Sequence, residues 1–354
     1  MNPTHQSVVT TSQEQTKESK SLLRVWLPLL IIATGIFIRV YHYFYNRGLW
    51  GDDSFLALNI LERSFIGLAT PPLDFGQQAP LLFLWTEKIF VQMLGPSEMS
   101  MRLFPLLCGI VSLFAFHRLA KIMFESGLAV SVALALLAFS QPVIRYSVDI
   151  KQYETELLTT ILLMLSFFHF NNHMRLRSLF LWGLAGGVSL WFSYSAVFLL
   201  VAIALYTGTR HLYSGNWSTL RWLCIPFGIW AASFLVNYYL FVSTGTKDNI
   251  LLEYWDGKNS FAPLPPRSLQ DLLWYPQRIS KVFENPLGLT WAGVALSSKI
   301  RFSLAGLLFM VAGVVSFWFS RRQTSRGFFG VAAVLLLILL VASSLHKYPF
   351  YGRL

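Results

Sequence analysis

Three short stretches of this sequence bring reactive side chains together. The first is Trp50-Gly51-Asp52-Asp53-Ser54, two adjacent carboxylates just ahead of the apolar stretch Phe55 to Leu68. A carboxylate so placed can serve as a general base or a metal ligand. Equally, one of the pair can cap a helix and complement its dipole. The second stretch is Arg145-Tyr146-Ser147-Val148-Asp149-Ile150-Lys151-Gln152-Tyr153-Glu154. Its Arg145 and Lys151 suit an anionic phosphate, or act as snorkelling anchors beside interfacial tyrosines. The third, His346 to Arg353, is a solvated tail or a further source of cations, and Arg102 is an anchor or a weaker phosphate partner. The chemistry these residue types share is proton removal by a carboxylate beside cations that hold a phosphate.

The elements that must position them are membrane helices. The chain has 354 residues, 55% hydrophobic and only 13% charged. Soluble domains carry about 25% charged residues, so this chain lacks the polar surface to cover itself. The apolar residues come in blocks long enough to cross about 30 Å of hydrocarbon, without the alternation of an outer-membrane barrel. These features exclude a soluble enzyme, a disulfide-stapled secreted module and a disordered protein. They predict an all-α polytopic membrane protein. Cys108 and Cys224 each sit in an apolar run and read as small core residues. The net charge of +11 lacks the aromatic interleaving of a nucleic-acid surface, so no nucleic-acid partner is expected.

Nine spans are predicted, at 22–42, 101–119, 127–143, 153–170, 179–194, 195–208, 222–243, 300–320 and 327–345. Ser193-Tyr194-Ser195 is the expected turn in the weakest pair. Residues 1–21 read as a disordered cytoplasmic tail, and the run after it is too long for a signal peptide. With the N-terminus inside, the inner loops carry 12 basic and three acidic residues and the outer segments 15 and 14, with Arg39 inside the first span. That is the positive-inside pattern. Two outer segments are long, 43–100 and 244–299. The first holds apolar stretches at 54–69 and 80–94, expected to lie as amphipathic helices in the outer interface. The Pro- and Trp-rich second is expected to pack there too.

The mid-membrane region looks empty of Asp and Glu, whereas transporters keep charged or unwound elements there. The polar clusters gather instead at the outer helix ends, where a lipid head group meets a partner from outside. The rival class is a transporter or flippase for lipid-linked sugars, which needs a continuous polar path through the bundle; Gly186-Gly187 would allow close helix packing there, although plain packing is the commoner use of such pairs. An inactive membrane protein is the third reading.

These residues carry a resemblance. The stretch Leu49 to Ala57 resembles the Asp-Glu motif in the first outer loop of GT-C glycosyltransferases of family 39, which includes protein O-mannosyltransferases and lipid A aminoarabinose transferases. Asp52 falls on that family's catalytic Asp, and Asp53 where it often has Glu. Ala79 to Trp85 resembles its Pro-Pro-Leu interfacial helix, Pro96 to Pro105 with Arg102 the start of its second span, and Arg145 to Tyr153 its second outer loop. Lys347 to Leu354 resembles a Tyr-Pro-Phe-x-x-Arg segment that leads into another span, so the GT-C-like domain, 22–354, reads as truncated. Gln77-Gln78-Ala79 departs from relatives with a Lys or His before the proline.

The resemblance implies a polyprenyl-phosphate-linked sugar as donor, a glycan, lipid or protein as acceptor, and hexosyl or pentosyl transfer at the outer face of the plasma membrane. In such an inverting displacement one base is enough, and cations stabilise the leaving phosphate. Asp52 is then the base. Arg145, Lys151, Lys347, Arg353 and Arg102 are the phosphate candidates, with Asp53, Asp149 and Tyr153 as further substrate contacts. No cofactor is required by this scheme; if a divalent cation takes part, Asp52 and Asp149 are its ligands.

Overall fold

A computed structural model describes residues 26–70, 72–170, 175–243, 250–289, 311, 315 and 323–350. All regular structure among them is helical. Helix α1 spans Trp26–Tyr45. Then come α2 Gly51–Glu62, the single turn α3 Phe65–Leu68, a 3₁₀ turn at Asp74–Gly76, and α4 Leu81–Leu94. The bundle continues with α5 Glu98–Met123, α6 Gly127–Ala138, α7 Gln141–Tyr146, α8 Tyr153–Phe170, α9 Leu176–Phe192, α10 Ala196–Tyr213 and α11 Trp217–Asn237. Helices α12 Ile250–Asp256, α13 Leu269–Glu284 and α14 Gln323–Ser344 complete it.

Among the described residues five helices are long and apolar enough to cross a membrane: α1, α5, α10, α11 with its π-helical extension, and α14 from Thr324. This is a polytopic α-helical chain with fewer qualifying spans than the nine predicted. Three of the four missing spans have a physical reason, and the fourth falls almost wholly outside the described residues. Helix α9 is apolar but short, and α8 opens on Glu154 and Glu156, which shortens its apolar part. The predicted span 127–143 is broken: α6 ends at Ala138, and Ser140 caps α7, accepting from the Val143 N–H with Pro142 in the first turn. Of the predicted span 300–320 only residues 311 and 315 are described, and the tail 1–21 lies outside the described residues.

Arg39 explains the break. It is 1% exposed, and its guanidinium donates to the carbonyls of Gly35, Leu137 and Ala138. These last two are orphan acceptors at the α6 C-terminus, which a cation both satisfies and complements. Gly109 on α5 makes room, since a Cβ there would stand 2.9 Å from the Ser147 Cβ and 3.4 Å from Arg39 Nε. One arginine thus fastens α1 to the end of α6, with Gly109 of α5 packed beside it.

The main core lies among α5, α8, α9, α10, α11 and α14. Trp182 and Trp230 cross edge to face at 5.1 Å, and the Trp230 indole occupies the space a Cβ at Gly186 would need. The glycines of α9 therefore serve close packing against α11. A second core, around Leu56, Ile60, Phe83 and Leu84, fixes α2 and α4 on one end of the bundle. Cys108 is buried as expected; Cys224 is exposed, a correction to its reading as a core residue.

The segments assigned to the outer side meet at that end. Tyr194, in the turn between α9 and α10, donates to the Ala79 carbonyl at 2.9 Å. Asn285 donates to the Tyr146 hydroxyl at 2.7 Å. The Phe350 N–H donates to the Ser260 carbonyl at 2.8 Å, and the Ala262 N–H to Ser343 Oγ at 2.9 Å.

Candidate functional site

Trp50 is the N-cap of α2, in extended geometry, and its side chain makes no capping bond. Asp52 and Asp53 sit inside the first turn, so neither is the cap, though both complement the helix dipole. Successive helical residues point about 100° apart. Asp52 accordingly faces outward, with its side chain 61% exposed, while Asp53 turns inward and is buried.

The segment opposite is held in place by α2 itself. Asn59 accepts from the Asp74 N–H and donates to the Asp74 carbonyl, Arg63 pairs with the Asp74 carboxylate at 2.8 Å, and Phe55 stacks on Phe75. Phe75 and Gly76 both take positive φ. That reversal turns the chain back so that Gln77 faces Asp52.

The third wall is the loop between α7 and α8. Ser147, Val148 and Ile150 are buried, which pins the loop and fixes Asp149 and Lys151 between them. Lys151 Nζ lies 3.2 Å from Asp52 Oδ2 and donates to Gln77 Oε1 at 2.7 Å. Gln77 Nε2 in turn donates to Asp52 Oδ1 at 3.2 Å. The three side chains close a triangle in which the carboxylate is the terminal acceptor. Beside it, Asp149 takes an ion pair from Arg47 and a looser one from Arg145 at 3.5 Å. Arg145, in the last turn of α7, also lies over the Trp50 ring, 5.3 Å from its centroid, a cation–π contact that ties α7 to the start of α2.

The electrostatics follow from this crowding. Burial pushes the Asp53 carboxyl up to about 6, the Asp149 charge adds to the shift, and Lys151 opposes it. The site thus pairs two cation-bound carboxylates, Asp52 and Asp149, with a third that holds its proton more tightly than an exposed aspartate.

The remaining candidates fall at different depths. Arg102 is buried against the Arg47 carbonyl and Glu98, so it supports Arg47 from behind. Tyr153 packs against Tyr146, two residues after Lys151 in the chain. Lys347 is exposed, and no described contact ties it to Asp52; Arg353 lies outside the described residues. Two participants went unread in the sequence. Arg47 follows α1 without any pattern to mark it. Gln77 was read only as a departure from relatives, yet it bridges base and cation.

Among the described residues no three His, Cys, Asp or Glu side chains converge as a metal site. Asp52 and Asp149 are engaged by Lys151 and Arg47, which a divalent ion would have to displace. The donor set as folded suits organic cations and hydrogen bonds better than a metal.

A search of curated proteins finds no match to the chain. The family model described as dolichyl-phosphate-mannose-protein mannosyltransferase matches residues 78–239. The matched region runs from just before α4 through α11. It contains Arg102, Arg145, Asp149, Lys151 and Tyr153, and begins after Asp52, Asp53 and Gln77.

Proposed function

From the premise that the family match supports a GT-C superfamily glycosyltransferase, we propose that this chain moves a sugar from a polyprenyl-phosphate donor to an acceptor hydroxyl at the outer face of the membrane. The observation that carries the reading is the Asp52–Gln77–Lys151 triangle set beside Arg145 at one end of the bundle. A carboxylate has about four acceptor positions. Lys151 and Gln77 use two, and the exposed side of Asp52 leaves room for a hydroxyl.

In this scheme the acceptor oxygen attacks C1 of the sugar as its proton passes to Asp52. The bond from C1 to the phosphate oxygen breaks, its electron pair leaves with the polyprenyl phosphate, and the anomeric centre inverts. Phosphate is a weak base and needs cations rather than an acid. Arg145 is the most accessible of the three nearby, with its side chain 45% exposed and held only loosely by Asp149. Lys151 sits where it can serve base and phosphate in turn, and Arg47, braced by Arg102, keeps Asp149 in place.

The test is transfer from radiolabelled synthetic polyprenyl-phosphate sugars to membrane extracts by the purified full chain in liposomes. Time-dependent appearance of labelled product supports the reading. Failure to consume any such donor, with the chain folded and the extracts shown to be competent acceptors, contradicts it.

A further inference from the structure

Two phenylalanines stand beside Asp52, and the scheme above leaves them unused. Phe55 lies one turn on from Asp52 in α2, the i, i+3 spacing that sets two side chains on one helix face. Phe75 stacks on it, with ring centroids 4.9 Å apart and planes 19° from parallel. Phe75 is also two residues from Gln77, which donates to Asp52 Oδ1 at 3.2 Å. An aromatic pair thus borders the carboxylate. Trp50, two residues before Asp52, lies under Arg145. None of the three rings is buried: Phe75 is 58% and Trp50 62% exposed, and Phe55 is exposed too.

The pair is held in place against a local cost. Phe75 has φ of 60°, the left-handed region that a bulky residue enters only under strain. Glycine would make the same turn freely. Polar braces hold the turn: Asn59 bonds both backbone groups of Asp74, and Arg63 pairs with its carboxylate at 2.8 Å. Burial does not explain the phenyl ring, since the residue stays largely open. Strain of this kind, spent on a ring kept at the surface, marks a contact with something outside the chain.

The surroundings select the occupant. The side chain of Asp74 is 55% exposed, and that of Asp52 is more open still. Charged groups therefore border the rings, which makes hydrocarbon a poor cover for them. A suitable ligand has a flat C–H face for the rings and hydroxyls for the polar border. A pyranose has both, and the negative face of a phenyl ring attracts its C–H bonds. We infer that the Phe55–Phe75 pair is the acceptor subsite and that the acceptor is a saccharide, its ring laid on Phe75 with one hydroxyl presented to Asp52. The inference rests on the transferase reading above, narrows its acceptor to the saccharide class, and assigns Phe75 as a specificity-determining residue.

Saturation-transfer NMR on the full chain in liposomes, with empty liposomes as the blank, measures binding of the methyl glycosides of mannose, glucose, galactose and N-acetylglucosamine, and of a Ser/Thr-rich peptide. Wild type should bind at least one glycoside, with saturation strongest on ring C–H protons, and the peptide no better than the blank. Phe75→Gly removes the ring and relieves the turn, so thermal stability should stay close to wild type. It should weaken the glycoside about twofold to tenfold while bare polyprenyl phosphate holds within about twofold. Phe75→Tyr keeps the flat face and should bind the glycoside as wild type does. Phe55→Leu is apolar but not flat; it should weaken the glycoside in the same way, and it decides the matter if Phe75→Gly does not fold. Absence of glycoside binding, glycoside binding indifferent to both variants, equal weakening of the polyprenyl phosphate, or peptide binding that depends on the same rings overturns the inference. The transfer assay separates the two readings. Labelled product on protein or simple lipid alone overturns this inference and spares the transferase reading. Ring-dependent glycoside binding with no donor consumed supports the saccharide site and overturns the transferase reading.

Discussion

Lys151 Nζ lies 3.2 Å from Asp52 Oδ2, and Gln77 closes the gap between them from the other side, accepting from one and donating to the other. The pair joins the first turn of α2 to the loop ahead of α8, elements nearly a hundred residues apart in the chain. Lys151 is buried while Asp52 is open, so the lysine is a fixed post against which the base is oriented.

Replacing that post should damage turnover more than folding. Lys151→Met keeps the volume of the side chain and removes its charge. It should lower kcat/KM by about 10- to 100-fold, the range set by losing a charge-assisted hydrogen bond. Gln77→Ala, which leaves the Lys151–Asp52 contact in place, should cost less, roughly twofold to tenfold. Steady-state transfer kinetics on the purified variants check both. Equal losses would mean that the bridge, rather than the cation, does the orienting.

The Arg39 bracket predicts a stability effect remote from the site. Arg39→Met leaves the α6 carbonyls and Glu154 without their cation and should destabilise the protein by about 3 kcal/mol. Adding Glu154→Gln removes the stranded charge and should recover part of that loss. Unfolding of single and double variants, followed in the same detergent, gives the coupling. Additive losses would show that Arg39 and Glu154 do not act on each other.

Asp53 sets a pH dependence whose sign is fixed by its environment. Its carboxyl is raised to about 6 from 3.8, so the folded state binds the proton more tightly than the unfolded chain. The stabilisation is therefore full below about 4 and is lost as pH rises through about 6. Asp53→Asn should flatten the stability profile across that window. A profile with the same slope in the variant would assign the titration to another group.

Much of the fold was legible because hydropathy and charge report the membrane directly. The turn at Ser193-Tyr194-Ser195 falls between α9 and α10 as expected, and the limits of α8 coincide with the predicted span 153–170. The break at Ala138 was not read, although Ser140 and Pro142 mark a helix start. An apolar window averages over them, and the Arg39 side chain that completes the break comes from 99 residues away. In the site, Asp52, Arg145, Asp149 and Lys151 were legible as charged residues at helix ends. Arg47 and Gln77 were not, because their importance lies in whom they touch. Arg102 reads in the sequence as an anchor or a weaker phosphate partner; its burial against the Arg47 carbonyl is not legible there, because a sequence does not show which face of α5 it occupies.

The sidedness of the bundle gives a further prediction. In a background carrying Cys108→Ala and Cys224→Ser, Ser64→Cys just after α2 should react with a membrane-impermeant maleimide on intact cells. Ser126→Cys, between α5 and α6, should react only after permeabilisation. Both serines are exposed, so accessibility is decided by the membrane. The reverse pattern would place Asp52 on the cytoplasmic side.

The central claim is that Asp52 removes the acceptor proton, and Asp52→Asn tests it most directly. The amide keeps the shape of the side chain and can still bond to Lys151 or Gln77 after rotation, but it cannot take a proton. With a donor that wild type consumes, kcat should fall by about 10²–10⁴-fold, with donor affinity and thermal stability close to wild type. An Asp52→Asn protein that turns over the same donor at the wild-type rate would contradict the account.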